Sequence, residues 1–219
     1  NPPKNVYTCK FTDFKPILDG KLNDECWKSA KAVKLVDWSG LSAKENYTEF
    51  KTLYDAEFLY ISAICTTKNP TPIKNKASIT RDQPLKSKDQ IYFQIDLDRD
   101  YTTCYQFQID SLGNVIDDCW GDLSWNPKWF FATENTETGW TFEAAIPMGM
   151  ISSSPATSGK SWAMNFGRTI QNQGVQTWSS PAKMPDSNDT LEGMGLMFFL
   201  NQDANLIPGT GKAKGSPAP

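Results

Sequence analysis

The chain has 219 residues, 39% of them hydrophobic, with a net charge of −3 and a sequence isoelectric point near 5.1. This length fits a single β-sandwich domain, and the acidic balance argues against a nucleic-acid partner because no basic stripe could neutralise phosphates. The chain contains no histidine, which removes the commonest general base and metal ligand, and its longest apolar runs are too short to cross a bilayer.

The first 65 residues predict four strands and one short helix. Asn23 or Asp24 can cap the helix, whose Cys26, Trp27 and Ala30 then face inward and cover one end of a sandwich. The following 23 residues are polar, contain three prolines and show no period, which is typical of a long functional loop. The predicted strands are Val6–Phe11, Ala32–Trp38, Thr48–Tyr54 and Phe58–Cys65, and the last two form a hairpin about Asp55-Ala56-Glu57.

The stretch from Asp89 to Phe131 predicts a three-stranded meander with one buried face. Apolar residues alternate with polar ones along its first two strands, and this period of two places the two sets on opposite faces. An acidic turn joins these strands, and Ser111-Leu112-Gly113-Asn114 has the composition of a tight hairpin turn. The third strand runs from Val115 into a segment rich in tryptophan. The meander therefore has one apolar face, one glutamine-lined face and aromatic residues at its exit.

The rest of the chain predicts four more strands and one helical turn at Met148–Ile151. Residues 201–219 are polar and rich in Pro, Gly, Ala and Lys, which indicates a linker or tail after a domain spanning residues 1–200. Strands without long intervening helices predict an all-β fold: an antiparallel β-sandwich, jelly-roll-like, with one or two short helices. The four strands are Gly139–Pro147, Trp162–Ile170, Val175–Trp178 and Gly193–Leu200.

The five cysteines show no C-x-x-C spacing, so a zinc or thioredoxin-like site is not expected. Disulfides formed in an oxidising compartment, with one thiol left over, fit this count better. Cys104 could pair with Cys119 across consecutive strands, and Cys26 with Cys119 is an equal alternative. The sequence begins Asn-Pro-Pro without methionine, which suits a processed, exported protein or an excised domain. We therefore expect an extracellular or periplasmic location.

Five segments in this order resemble carbohydrate-binding module family 9 and its relatives in the DOMON-like superfamily. The resemblance covers about residues 12–200. The segments are Ile17–Gly20 with Asp24–Trp27, Leu53–Ile61, Asp89–Asp96, Gly139–Pro147 and Trp162–Arg168.

The resemblance implies a jelly-roll-like antiparallel sandwich, often with structural calcium. Such modules are usually attached to exported polysaccharide-degrading enzymes or to large bacterial surface proteins. Well-studied members clamp a terminal sugar between two tryptophans. Here the corresponding segments read Pro84-Leu85-Lys86-Ser87-Lys88 and Lys183-Met184-Pro185-Asp186, and neither contains an aromatic residue.

Sugar binding requires an aromatic plane for the apolar face of a pyranose and polar side chains for its hydroxyl groups. Trp120 and Trp125 lie among Gly, Asp, Asn and Pro, which favours exposure, and Trp178 lies near the late loop. For Arg168 a structural ion pair is the competing interpretation. The candidate polar residues are Gln94, Gln106, Gln108, Glu143, Asn165 and Arg168, and the prediction is a glycan-binding Gln/Asn/Arg sheet face with exposed tryptophans.

For a metal, Asp96, Asp98 and Asp100 supply hard oxygen ligands at alternate positions, as Ca²⁺ prefers, although the turn lacks the Gly and distal Glu of an EF-hand loop. No nucleophile–base pair or phosphate-binding loop is present, so no catalytic residue is predicted. Two other functions remain open. One is an extracellular protein–protein interaction or structural module, and the other is a b-type haem subunit, in which Met and Lys would have to ligate the iron.

Overall fold

The computed structural model describes residues 5–37, 46–68, 70, 79–85, 89–100, 103–154, 156–170, 174–179, 193–201, 205–206 and 213–214. Fifteen strands and two short 3-10 helices, Glu25–Lys28 and Met148–Met150, make up its regular structure. No helix among the residues that the structure describes is long and apolar enough to cross a membrane. The strands are β1 Val6–Phe11, β2 Val33–Lys34, β3 Val36–Asp37, β4 Thr48–Tyr54, β5 Phe58–Thr66, β6 Asp89–Asp96, β7 Tyr105–Asp110, β8 Val115–Cys119, β9 Phe130–Thr136, β10 Gly139–Pro147, β11 Ser161–Ile170, β12 Gly174–Thr177, β13 Gly195–Leu200, β14 Asn205–Leu206 and β15 Ala213–Lys214.

Thirteen strands form one curled sheet in the order β8-β7-β6-β11-β13-β1-β4-β5-β10-β9, while β2 pairs with β4 and β12 pairs with β11 and β3. The curl brings β8-β7-β6-β11 over β4-β5-β10-β9 and creates the two layers of a sandwich. Phe50 of β4 stacks on Phe166 of β11 with ring centroids 4.7 Å apart, and Phe93 of β6 lies 6.4 Å from Phe142 of β10. The all-β sandwich prediction is confirmed.

The core contains the apolar half of each alternating strand. In β6 and β7 the inward residues Ile91, Phe93, Ile95, Phe107 and Ile109 are fully buried, because successive side chains of a strand point to opposite faces. The rings of Phe93 and Phe107 stack at 4.8 Å. Removal of apolar surface from water is the dominant favourable term in folding, and these aliphatic and aromatic side chains contribute to it.

The segment from Ile17 to Ala30 covers the outer face of β4, β5 and β10 and forms a second small core. Trp27 packs there with Leu53 and Tyr60. The buried Glu143 carboxylate holds the segment down, because it accepts hydrogen bonds from Gly20 N at 2.8 Å and Trp27 Nε1 at 2.8 Å. Burial raises the pKa of Glu143, and these hydrogen bonds oppose the increase.

Several details differ from the predictions. β1 runs parallel to both of its neighbours, β4 and β13. β9 was not predicted as a strand, since its sequence FFATENT alternates poorly and only its pairing with β10 places it in the sheet. The predicted strand Ala32–Trp38 is two short strands, β2 and β3, and the predicted helix is a single 3-10 turn. The segment predicted as a linker or tail contains β14 paired with β15, a detail that the prediction did not address.

Candidate functional site

A line of hydrogen-bonded polar side chains crosses the outer face of β11, β6, β7 and β8. Asn165, Gln94, Gln106 and Asp118 are direct neighbours in the strand register, and together we name them the amide row. Asn165 Nδ2 donates to Gln94 Oε1 at 3.5 Å, Gln94 Nε2 to Gln106 Oε1 at 2.9 Å, and Gln106 Nε2 to Asp118 Oδ2 at 3.1 Å. All donors point the same way, toward the carboxylate.

The amide row is fixed at both ends. At one end Asn165 Oδ1 accepts the hydroxyl groups of Ser179 at 2.7 Å and Thr177 at 3.1 Å. At the other end Asp118 Oδ1 accepts Gly121 N at 2.8 Å. A primary amide has two N–H donors and two acceptor lone pairs, so each glutamine of the row keeps one donor and one acceptor for a ligand. Such amides are already oriented before a ligand arrives.

Trp120 lies two residues after Asp118, at the tip of a two-residue hairpin loop. Cys119 and Asp122 exchange backbone hydrogen bonds, and the two central residues both have positive φ, 56° at Trp120 and 81° at Gly121. This is the geometry of a type I′ turn, in which Asn usually precedes Gly. The Trp120 side chain is nonetheless 59% exposed. A large aromatic residue therefore stands in solvent at a backbone position that disfavours it.

Tyr92 lies on the same outer face beside the amide row, between Gly167 and Gln108 in the register. Its ring leans onto β11, because a β-carbon at Gly167 would lie 2.2 Å from Tyr92 Cζ and 2.4 Å from its hydroxyl oxygen. Tyr92 and the two residues that end the row, Ser179 and Thr177, were not predicted from the sequence as site residues. The glycine inside a long apolar strand was the available signal, since it marks a close approach.

Arg168 points in the opposite direction, into the space between the two layers. Its guanidinium is fully buried and forms a bidentate ion pair with Asp89, Nε to Oδ1 at 2.7 Å and Nη2 to Oδ2 at 2.6 Å. Nη1 donates to Thr66 O at 2.8 Å and Thr48 Oγ1 at 3.1 Å, which joins β11 to β5 and β4. This corrects the predicted Gln/Asn/Arg face: residues 165 and 168 are three apart in one strand and lie on opposite faces.

The other tryptophans named as sugar contacts are placed differently from Trp120. Trp178 is buried and forms edge contacts with Tyr7 at 6.1 Å and Phe50 at 5.8 Å, so its interpretation as an exposed contact is corrected. Trp125 is half-buried and packs on Tyr105 with ring centroids 4.9 Å apart. Gln108 lies on the outer face, half-buried, opposite Ile116.

The acidic turn between β6 and β7 brings three carboxylate oxygens of Asp96, Asp98 and Asp100 within 4.8 Å of one another. Asp96 is buried and accepts Arg99 N at 2.8 Å, while the other two are exposed. Burial, together with the neighbouring acids, raises the pKa of Asp96 to about 6. The donors are hard oxygens, which suit Ca²⁺, and a bound cation would offset their mutual repulsion.

All five cysteines are free thiols in the structure. Cys119 lies opposite Tyr105 in the register and Trp120 N donates to Cys104 O, so Cys104 and Cys119 project from opposite faces of the sheet. The disulfide prediction is not supported. For the haem alternative, Met148, Met164, Met194 and Met197 are buried among apolar residues, whereas Met184 lies outside the described residues.

Comparison with known proteins identifies the family. The model of the carbohydrate family 9 binding domain-like family matches residues 17–207. The chain belongs to this family. No curated protein matched the chain in a sequence comparison.

Solved structures of family 9 modules share the fold. A family 9 module from Caldicellulosiruptor kristjanssonii in complex with cellotriose superposes with a TM-score of 0.65 and 13% identity, covering 90% of this chain and 94% of that one. A family 9 module from the same organism in complex with glucose superposes with a TM-score of 0.65 and 15% identity, covering 93% of this chain and 100% of that one. At these identities the likeness shows the common sandwich, whereas the ligand of this chain must be argued from its own residues.

Proposed function

We propose that this domain is a non-catalytic module that binds a glycan on the outer face of β11-β6-β7-β8, with the amide row reading hydroxyl groups and Trp120 supplying an aromatic surface. The observation that carries the proposal is the amide row itself. Four side chains from four adjacent strands form one directed chain of hydrogen bonds, and the register alone does not require this.

The chemistry of the row suits sugar hydroxyls. A hydroxyl group donates once and can accept, and each fixed glutamine amide offers one free donor and one free acceptor side by side. Because Gln94 and Gln106 are already held by their neighbours, binding a ligand involves little further loss of side-chain entropy at these two residues. Family membership supports a sugar as the ligand, and the related modules in complex with cellotriose and with glucose indicate the first probes to use.

Trp120 fits the second requirement of a sugar site, an exposed aromatic plane. Its indole is mostly in water, and the strained turn gains nothing from a residue of this size. Contact with a ligand would give the exposed tryptophan a role at this position. Neighbouring acids, among them Asp118 and Asp122, give this end of the face a negative character, which favours uncharged sugars over acidic ones.

The proposal includes an extracellular or periplasmic location, since that is where polymeric glycans are met. It also includes the absence of catalysis. Among the described residues of this face, Asp118 has both oxygens engaged by Gly121 N and Gln106 Nε2. A glycosidase of the usual type needs a second carboxyl group facing the first across the scissile bond. Separation of cell fractions and a reducing-sugar assay test these two parts.

We further propose that Ca²⁺ binds the turn of Asp96, Asp98 and Asp100 and stabilises it. Adding Ca²⁺ to chelator-treated domain should raise the melting temperature, and Asp98→Asn should remove that increase. Glu137→Gln, an exposed acid elsewhere, serves as the matched control and should keep it. An equal response of both variants to Ca²⁺ would place the ion outside this turn.

The function is tested by probing the folded domain on a glycan array and then titrating cellotriose calorimetrically. Trp120→Ala should weaken binding by about 1–3 kcal/mol and Gln106→Ala should weaken it as well, because it interrupts the row. Phe14→Ala is the control, since Phe14 is a 71% exposed aromatic residue outside the site. Unchanged affinity in the Trp120 and Gln106 variants would remove this face from consideration, and silence across the array would contradict the function.

A further inference from the structure

We propose that Tyr92 is the aromatic floor of the glycan site and that Gly167 is the positioning residue that holds its ring down on the sheet. This inference rests on the proposed function and names a contact residue within the same face. Trp120 lies exposed at the β8 end of this face, and Tyr92 lies on β6 beside the amide row.

The geometry of Tyr92 is unusual for a strand residue. Side chains of a sheet normally stand away from it, and directly opposite residues lie side by side. Here the tip of the Tyr92 ring occupies the place where a side chain at 167 would begin, with Cζ, the hydroxyl oxygen and Cε1 at 2.2, 2.4 and 2.5 Å from an ideal β-carbon. The ring therefore leans across from β6 and covers the backbone of β11 at Gly167.

The surroundings of the ring match a sugar site. Gln108 is its direct neighbour on β7, and Gln94 of the amide row is the next outward residue along β6. Tyr92, Gln94 and Gln108 are each half-buried and so remain accessible. An aromatic surface bordered by amides can receive the C–H face of a pyranose while its edge hydroxyls meet the amides.

Gly167 is open to substitution on backbone grounds. It has no positive φ, so alanine can adopt its conformation, and the atoms that a β-carbon would displace belong to the far end of a side chain rather than to backbone. Gly167→Ala should therefore leave the sheet intact and swing the Tyr92 ring away from it. The substitution removes no side-chain atom, so we expect it to change binding through the position of the Tyr92 ring.

The experiment is a double-substitution cycle on the complete domain, with cellotriose and the best soluble oligosaccharide of the array as probes. Tyr92→Ala should raise Kd by about five- to tenfold, a typical effect of removing an aromatic contact. Tyr92→Phe should bind nearly as well as the unaltered domain. Gly167→Ala should raise Kd by a comparable factor, yet have no further effect when introduced into Tyr92→Ala. Gly149→Ala is the matched control, since its β-carbon would meet nothing within 4 Å.

The outcomes separate this inference from the function on which it rests. If Trp120→Ala loses affinity while Tyr92→Ala keeps it, Tyr92 is not part of the site and the inference is overturned alone. If Gly167→Ala weakens binding equally with and without the Tyr92 ring, the positioning role is overturned. Failure of the unaltered domain to bind any glycan overturns the proposed function and this inference together. Melting temperatures measured in parallel identify any variant that fails to fold.

Discussion

Arg168 offers a sharp test of the distinction between a structural residue and a ligand contact. Arg168→Met keeps the length of the side chain but removes every donor of the guanidinium. The Asp89 carboxylate then loses both charged hydrogen bonds and keeps the indole N–H of Trp140 at 2.9 Å. The carbonyl of Thr66 and the hydroxyl of Thr48 also lose a donor.

The size of the effect follows from the burial of the pair. Arg168 is fully buried and the Asp89 side chain is only 17% exposed, so solvent cannot replace the missing partner. Breaking a buried pair by removing one member costs about 3–5 kcal/mol. For a domain of this length each kcal/mol lowers the melting temperature by about 2–4 °C, so a decrease of about 6–20 °C is expected. The melting temperature of Arg168→Lys should lie between those of the unaltered domain and Arg168→Met, because lysine keeps the charge but lacks the planar set of guanidinium donors.

The measurement is urea and thermal unfolding of the purified domain, with Lys28→Met as control. Lys28 forms an exposed ion pair with Glu25 at 2.5 Å, and losing such a pair should leave the midpoint nearly unchanged. Asp89→Asn combined with Arg168→Met should be less unstable than the sum of the single substitutions, since the two share one interaction. An unaltered midpoint together with lost glycan affinity would refute the structural role and restore Arg168 as a sugar contact.

Three further predictions concern turns and thiols. Gly20→Ala should destabilise the domain more than Gly121→Ala: both residues have positive φ, and each should lose about 1–2 kcal/mol on that account. A β-carbon at Gly20 would also lie 2.9 Å from Glu134 N, whereas at Gly121 it would meet nothing within 4 Å, so equal unfolding free energies would contradict the clash. The free energy of unfolding measured in urea should be about 0.5–1 kcal/mol higher for Trp120→Asn than for Trp120→Ala, because Asn suits the first central position of a type I′ turn. Both variants should lose glycan affinity. Titration with a thiol reagent in denaturant, without reductant, should detect five free thiols. In the native domain the reaction should be slow, because burial raises the pKa of Cys104 to about 12. Fewer than five thiols in denaturant would indicate a disulfide.

The alternating strands were predicted well because the pattern and the burial have the same cause. Inward residues of β6 and β7 are apolar at every second position, and the structure places each of them in the core. β9 escaped prediction because FFATENT has no such alternation and begins with the exposed Phe130. The parallel pairing of β1 with β13 was also beyond reach, since it joins residues about 190 positions apart and no local signal encodes it.

The candidate site shows the same division between local and long-range information. Period two correctly placed Gln94, Gln106 and Gln108 on one outer face, and the composition around Trp120 correctly predicted its exposure. The same rule, applied along β11, separates Asn165 from Arg168 by parity alone. The order of the strands, by contrast, could not be obtained this way. β6 lies between β7 and β11, and only that order brings Asn165 beside Gln94, 71 residues away in sequence.

The role of Gly167 requires both local and long-range information. A glycine in the middle of a ten-residue strand weakens pairing, so its presence in the sequence can mark a bulge, a bend or the close approach of another group. The occupant is identified only by the register, which sets Tyr92 opposite. The structure gives a physical reason for glycine at 167: it accommodates the ring of Tyr92. If Tyr92 only packed on the sheet, Gly167→Ala would change stability and leave glycan affinity alone. If Tyr92 is the floor of the site, affinity must respond more than stability.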